Sequence, residues 1–122
     1  MNITQGKAVS AYRTLIRLSE QPLPLPVAHG LYRARKALEN AWQFQLEQEQ
    51  KMVLECKGVI TENNIINFPD DAARQDYVKR TMELSKMETE VELPVVSIPA
   101  GQNLALSIND IAALDGIVAI EE

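Results

Sequence analysis

Hydrophobic residues recur with helical spacing through the first 20 residues of the chain. This spacing predicts an N-terminal helix over residues 1–20. Its apolar stripe consists of Ala8, Ala11, Tyr12, Leu15, Ile16 and Leu18. The alternating prolines of Gln21–Pro26 end this helix, because they remove amide donors and hold the backbone extended. Pro26 is suited to the first turn of the helix that follows.

Residues 27–57 predict one long helix without an internal proline. Its apolar positions are Leu31, Ala34, Leu38, Ala41, Trp42, Leu46, Met52 and Val53. Gln and Glu, which are good helix formers, fill the second half, and Gly58 fits a C-terminal cap. A helix of this length exceeds the core of a small domain, so we expect its far end to project or to pair with another helix.

Residues 58–68 predict a β-hairpin between two helices. Asn63 and Asn64 suit a two-residue turn, because Asn tolerates positive φ. This turn pairs residues 59–62 with residues 65–68. It places an apolar set on one face, Val59, Thr61, Ile66 and Phe68, and a mixed set on the other, Ile60, Glu62, Ile65 and Asn67. The apolar face must be covered by this chain or by another one, so its four residues are candidate interaction residues.

Residues 70–88 predict a further helix, with Pro69 and two aspartates at its start. We expect it to run back antiparallel along the long helix. The predicted fold is therefore α+β: an antiparallel helical hairpin with a β-hairpin at its tip, and a small C-terminal β/α element. Residues 1–122 are predicted to form a single domain.

Residues 89–122 predict short strands and one short helix. Val91, Leu93 and Val95 alternate with Glu90 and Glu92, which is typical of a half-exposed strand. Pro94 indicates an edge position or a break in that strand. A turn is predicted at Pro99–Gly101, followed by a strand with Leu104 and Leu106. A short helix is predicted over residues 107–114, capped by Ser107 with Asp110 and ended by Asp115 and Gly116. The last predicted strand covers residues 117–122.

Trp42 and Phe44 are two further interaction candidates. They lie two positions apart on the long helix and therefore point in different directions. We expect one of them in the core and the other in an interface.

The net charge of −5 argues against a nucleic-acid binder, since phosphate contacts need clustered Lys and Arg. One local exception is the segment "YRARK". Its Tyr32, Arg33, Arg35 and Lys36 are the candidate ligands for a small nucleotide, although a solvated helix face is the simpler interpretation. No apolar stretch has the length of a membrane span, and a single cysteine suits a reducing compartment. We expect a cytoplasmic protein.

Few residues are suited to catalysis. The single histidine, His29, and the single cysteine, Cys56, form neither a metal set nor a nucleophile–base pair that the sequence supports. Cys56 beside Lys57 is either a thiol of lowered pKa or a small hydrophobic residue of a helix face, and we favour the second interpretation. The acidic residues near 70–76 and 88–92 lack a glycine-centred cation loop. Neither an enzyme activity, a cofactor nor a metal is predicted.

The C-terminal third carries a family resemblance. Thr89–Pro94 ("TEVELP") and Leu106–Asp110 are followed by a last set of matching positions, Ala113, Leu114, Ile117 or Ile120, and Glu121. This pattern, with the layout of helices and hairpin before it, resembles a set of small proteins of tailed phages and prophages of Gram-positive bacteria. The resemblance implies a phage origin and a fold, but the matching positions are apolar residues and caps. No active-site residue follows from it.

Two hypotheses of function follow. In the first, the chain is a non-enzymatic phage accessory protein that acts in a host cell by self-assembly or by binding a phage or host protein. In the second, it is a counter-defence protein that inhibits a host immune factor or sequesters a nucleotide signal. An over-long helix and a hairpin with a second apolar surface favour the first.

Overall fold

A computed structural model describes residues 2–63, 65–99 and 105–120. Over these residues the chain is an α+β protein with four helices and three pairs of short strands. The elements are β1 (Asn2–Thr4), α1 (Gln5–Leu18), α2 (Leu25–Glu55), β2 (Val59–Ile60), β3 (Ile66–Asn67), α3 (Asp71–Lys86), β4 (Glu88–Glu90), β5 (Ser97–Ile98), α4 (Ile108–Leu114) and β6 (Ala119–Ile120). The four predicted helices are confirmed, with bounds that shift by a few residues.

Local capping determines where three of the helices begin. The side chain of Thr4 accepts the N–H of Lys7 at 3.1 Å, so α1 starts at Gln5. Asp70 accepts the N–H of Ala73 at 2.7 Å. Ser107 and Asp110 form the reciprocal capping box that the sequence predicts. These side chains satisfy amide donors that a helix leaves unpaired in its first turn.

The main core lies between α1, the first half of α2 and the C-terminal segment. The helix pair α1–α2 makes the most extensive packing contact in the molecule. The buried set is Ile3, Ala8, Ala11, Leu15, Leu18, Val27, Leu31, Ala34, Leu38, Ala41, Val91, Val96, Ile98, Leu114, Ile117 and Val118. We name residues 5–42, 91–98 and 106–120 the body.

The second half of α2, the β2–β3 hairpin and α3 extend from this core. We name residues 43–87 the arm. Near the hairpin, Arg80 of α3 pairs with Glu55 of α2. At its other end, the carbonyl of Met87 accepts the N–H of Gln5 at 2.7 Å, while the buried side chain of Gln5 donates to the carbonyl of Ala41 at 2.6 Å. The chain therefore returns through α3 from the end of α2 towards the start of α1.

The β2–β3 pair is antiparallel, but the predicted register is wrong by one residue. Ile60 lies opposite Ile66, and Val59 lies opposite Asn67. The N–H of Thr61 donates to the carbonyl of Ile65 at 2.8 Å, so the hairpin closes between Thr61 and Ile65 rather than between Glu62 and Ile65. The Thr61 hydroxyl accepts the N–H of Ile65 at 3.3 Å and supports this closure. Asn64 lies outside the described residues.

The new register changes the two faces of the hairpin. Residues directly opposite one another share a face, so Ile60 and Ile66 lie together. Phe68, two residues after Ile66, lies on the same side, whereas Val59 and Thr61 lie on the other. The predicted apolar face of Val59, Thr61, Ile66 and Phe68 is therefore not formed.

The end of α2 also differs from the prediction. Lys57, not Gly58, takes the left-handed backbone, with φ of 58°. The N–H groups of Lys57 and Gly58 donate to the carbonyls of Leu54 and Val53 at 3.1 and 2.7 Å. Gly58 is needed for space instead, because a Cβ there would lie 2.8 Å from Cγ2 of Ile66.

The C-terminal segment forms less strand than predicted. Only β4 and β5 form within residues 88–98, and the alternation fails at Pro94: Val95 is exposed, whereas Val96 is buried. Leu106 lies outside any strand, and Ala100, Gly101 and Leu104 lie outside the described residues. Two pairings have no counterpart in the prediction: β4 pairs antiparallel with β1, and β5 pairs parallel with β6.

Candidate interaction sites

The arm exposes most of its large hydrophobic side chains. In α3, Leu84 is the single buried residue among the sixteen. The exposed set of the arm is Phe44, Leu46, Leu54, Val59, Ile60, Ile65, Val78, Met82 and Met87. Leu54 is 76% exposed and Val59 65% exposed. Exposed apolar side chains that lie together are typical of an interaction surface, and Val78 and Met82 line one common recess.

Of the four hairpin candidates, the structure brings only two together. Ile66 and Phe68 are half-buried and approach Gly58 from one side. The ring of Phe68 lies against Tyr77 of α3, with 5.2 Å between the centroids. The arm thus covers Ile66 and Phe68 in part, whereas Ile60 on the same face is exposed. Thr61 is half-buried, and Val59 remains open on the opposite face.

The outer face of α3 carries a shallow apolar recess. Val78 and Met82 lie one turn apart at its centre, with Lys79 and Lys86 beside them. Its volume is about 400 Å³. The sequence indicates no site on this face, because it predicts Val78 and Met82 only as flanks of an inward stripe of α3. This stripe consists of Ala73, Tyr77, Thr81 and Leu84.

Trp42 and Phe44 occupy different environments, as their spacing predicts. Trp42 is half-buried and stacks on Tyr12 of α1, with centroids 5.1 Å apart and 18° between the ring planes. Phe44 is exposed and lines a recess of about 450 Å³ between α2 and β4. Phe44 is thus the interface candidate of the two.

Basic and aromatic side chains meet on the outer side of the α1–α2 pair. This basic–aromatic cluster consists of Tyr12, Arg13, Tyr32, Arg33, Arg35, Lys36 and Trp42. Arg35 lies over the ring of Tyr32, with 5.4 Å from its Cζ to the centroid. Arg13 lies 5.0 Å from the centroid of Trp42. The four predicted ligand residues are therefore neighbours, and α1 adds residues that the sequence did not point to.

The arginines of this cluster differ from the other arginines of the chain in their ion pairing. Of the six arginines, Arg17, Arg74 and Arg80 each pair with a carboxylate. The three in the cluster, Arg13, Arg33 and Arg35, have no carboxylate partner within residues 2–63, 65–99 and 105–120. Lys36 is paired: it binds Glu39 at 2.7 Å, and this hydrogen bond raises the pKa of the Lys36 ammonium.

Two recesses border the ring of Tyr32. A small one of about 100 Å³ is lined by Tyr12, Tyr32, Arg35, Lys36 and Glu39. A larger one of about 370 Å³ is lined by Tyr32, Arg33, Lys36, Ala37, Glu92, Leu93 and Pro94. The ring of Tyr32, half exposed, separates them. The extended segment after β4 supplies the far wall of the larger recess.

The residues considered for catalysis do not come together. His29 is exposed at the start of α2. Cys56 is buried, and its thiol donates to Asp76 over 3.6 Å. Burial raises the pKa of the Cys56 thiol, and the bond to Asp76 raises it further, so the thiol is protonated and weakly nucleophilic. Glu90 and Glu92 are exposed, and no cluster of metal-binding side chains occurs among the described residues.

Asp110 has a role that the sequence showed only in part. Besides capping α4, this buried carboxylate accepts a hydrogen bond from Arg17 of α1, 93 residues away. The bond from Arg17 holds the pKa of Asp110 below its ordinary value, and the N–H of Ser107 lowers it further. The pair joins α4 to α1, so its role is structural.

No helix within the described part of the chain is long and apolar enough to cross a bilayer. Comparisons of the chain with protein-family models, with curated proteins and with solved structures return no match. The resemblance to tailed-phage proteins therefore stays a prediction.

Proposed function

We propose that this chain is a non-enzymatic accessory protein of a tailed phage that acts by self-assembly through the outer face of its arm. One observation carries the proposal: the arm exposes nine large hydrophobic side chains, and its α3 buries only Leu84. The phage setting draws on the resemblance of the C-terminal segment alone.

A second copy of the chain suits the α3 face because the face is complementary to itself. In an antiparallel pair of α3 helices about a twofold axis, Val78 and Met82 of one copy meet the same residues of the other. The helix dipoles of such a pair are also antiparallel, which favours this packing. The apolar pair therefore lies at the centre of the contact, and the basic residues of the recess, Arg74, Lys79 and Lys86, lie around it.

Free strand edges on the hairpin support the same proposal. The β2–β3 sheet contains two strands only, so each has one side without a strand partner among the described residues. Val59 and Ile65 are exposed on the hairpin face that points away from Phe68. A lone two-stranded hairpin is marginally stable in water, so contact with a second arm would stabilise it.

Light scattering coupled to size-exclusion chromatography, over a wide range of protein concentrations, tests the proposal. We expect the wild-type chain to form an oligomer and Met82→Lys to be monomeric. Ile108→Lys is the matched control: Ile108 is 86% exposed, but it lies on the body. Far-UV circular dichroism confirms that each variant is folded. A wild-type chain that is monomeric at every concentration, or equal association of both variants, would overturn the proposal.

Charge exchange tests the antiparallel arrangement itself. With Val78 opposite Met82, Lys86 of one copy lies opposite Arg74 of the other. Lys86→Glu should therefore strengthen association, because it replaces two like charges with an opposite pair. Adding Arg74→Glu to the same chain should weaken association again, since two carboxylates then face each other. If the double variant associates as well as Lys86→Glu alone, the α3 helices do not pair in this way.

A further inference from the structure

The basic–aromatic cluster of the body has a composition that assembly of the arm does not explain. It gathers four cations on a chain with a net charge of −5, and three of the four lack a carboxylate partner within the described residues. We propose that this cluster binds a mononucleotide. The base lies against Tyr32 in the larger recess, and the phosphate binds Arg33 and Lys36, which line that recess three positions apart on α2.

The larger recess has the size and walls that a nucleotide base requires. Its volume of about 370 Å³ lies in the range of small-molecule sites, which is about 300–1,000 Å³. Tyr32 lines it from α2, and Leu93 and Pro94 line it from the extended segment after β4. A planar ring stacked on Tyr32 would thus also contact apolar groups of that segment.

Two cations of the cluster line the larger recess, Arg33 and Lys36. Arg33 has no carboxylate partner within the described residues, so it can form two parallel hydrogen bonds to a phosphate without breaking an ion pair. Lys36 is paired with Glu39, but its ammonium has three donors and can bind the same phosphate. Arg35 lines the smaller recess and lies over the ring of Tyr32, so it holds that ring in place.

Glu92 determines the orientation and the size of the ligand. Its carboxylate lines the recess and repels a phosphate, so that end is suited to the N–H groups of a base or to a ribose hydroxyl. Glu39, Glu90 and Glu92 surround the cluster with negative charge. A long polyanion would have to pass these carboxylates, so a mononucleotide is favoured over a nucleic-acid strand.

This site shares no residue with the outer face of α3. Nucleotide binding and assembly can therefore be lost separately. Binding would also supply the nucleotide-sequestering activity of the second sequence hypothesis.

Isothermal titration calorimetry with AMP, GMP, CMP and UMP tests the proposal, with adenosine and inorganic phosphate as separate probes. We expect saturable binding of at least one mononucleotide. The nucleoside and the phosphate alone should each bind about tenfold more weakly or worse, because each lacks half of the contacts. Raising the salt concentration should weaken nucleotide binding.

Two variants and a control locate the site. Tyr32→Ala and Arg33→Gln should each weaken nucleotide binding by about tenfold or more. Both side chains are exposed, so folding should be unchanged, which circular dichroism verifies. Arg74→Gln removes an arginine that is paired with Asp71 on α3, and it should have no effect.

Three outcomes would overturn the proposal. The first is no saturable binding of any of the four mononucleotides at millimolar concentration. The second is unchanged binding in Tyr32→Ala or Arg33→Gln. The third is a single-stranded RNA hexamer that binds when the mononucleotides do not.

Discussion

The two halves of α2 show how differently one helix can be stabilised. In the body, the inward positions are Val27, Leu31, Ala34, Leu38 and Ala41, all buried and apolar. Farther along, the inward positions after Ala41 are Gln45 and the half-buried Gln48, and apolar burial resumes only at Met52 and Val53. The body half is held by packing throughout. The first turns of the arm half depend more on the intrinsic helix preference of their Gln and Glu residues.

The buried polar group of the body is also better hydrogen-bonded than that of the arm. In the body, the buried carboxylate of Asp110 accepts hydrogen bonds from Arg17 and from the N–H of Ser107. In the arm, Gln45 is equally buried and its amide donates to Glu49 at 2.8 Å, but its Oε1 has no partner within the described residues. An unpaired buried acceptor is unfavourable. The arm is therefore the region of lower local stability.

The largest expected difference in the free energy of unfolding is between substitution of a leucine in the body and substitution of a leucine in the arm. Leu38→Ala should lower the free energy of unfolding by about 2–5 kcal/mol, since Leu38 is fully buried. Leu54→Ala should change it by no more than about 0.5 kcal/mol, because Leu54 is mostly exposed. Urea denaturation at protein concentrations below any association measures both. Equal losses would show that the arm has its own core.

An intermediate effect should follow from Asp110. Asp110→Asn should destabilise the chain by about 1–3 kcal/mol at neutral pH, because Arg17 loses its charged partner. The pKa of Asp110 is lower in the folded chain than in the unfolded chain. Ionised Asp110 therefore stabilises the fold fully at pH values above the ordinary Asp pKa. This contribution is lost as the pH falls through the folded pKa.

The pH dependence gives the control for this prediction. Urea midpoints measured from neutral to strongly acidic pH should fall less steeply in Asp110→Asn than in the wild type. Arg17→Gln should flatten the same curve, because it removes the main cause of the lowered pKa. Parallel curves for all three proteins would contradict the role given to the pair.

The smallest expected effect is an increase, not a decrease, in the free energy of unfolding. Gln45→Leu should raise the free energy of unfolding by about 1 kcal/mol, because it removes an unpaired buried oxygen and keeps a similar volume. Gln45→Ala should lower it, since a cavity remains. Thermal melts compare the two. If Gln45→Leu destabilises the chain, the lost hydrogen bond to Glu49 outweighs the removal of the unpaired oxygen.

The sequence alone could predict residues of a candidate site only where those residues lie close together along the chain. Tyr32, Arg33, Arg35 and Lys36 lie on one helical segment, so the sequence indicated them together. Tyr12 and Arg13 join them only because α1 packs on α2. The exposed face of α3 had no local signal, since Val78 and Met82 read as flanks of a buried stripe. Which hydrophobic residues stay uncovered depends on what packs against the helix.

The sequence by itself determined the four helices, their approximate bounds and the cap at Ser107. These depend on residues within three or four positions of one another, so a local pattern contains the information. Tertiary structure decided the hairpin register, the burial of Val96 rather than Val95, the parallel pairing of β5 with β6 and the contact between Arg17 and Asp110. In each of these features, the residues involved come together through packing or through loop closure. The spacing of residues along the chain does not encode such contacts.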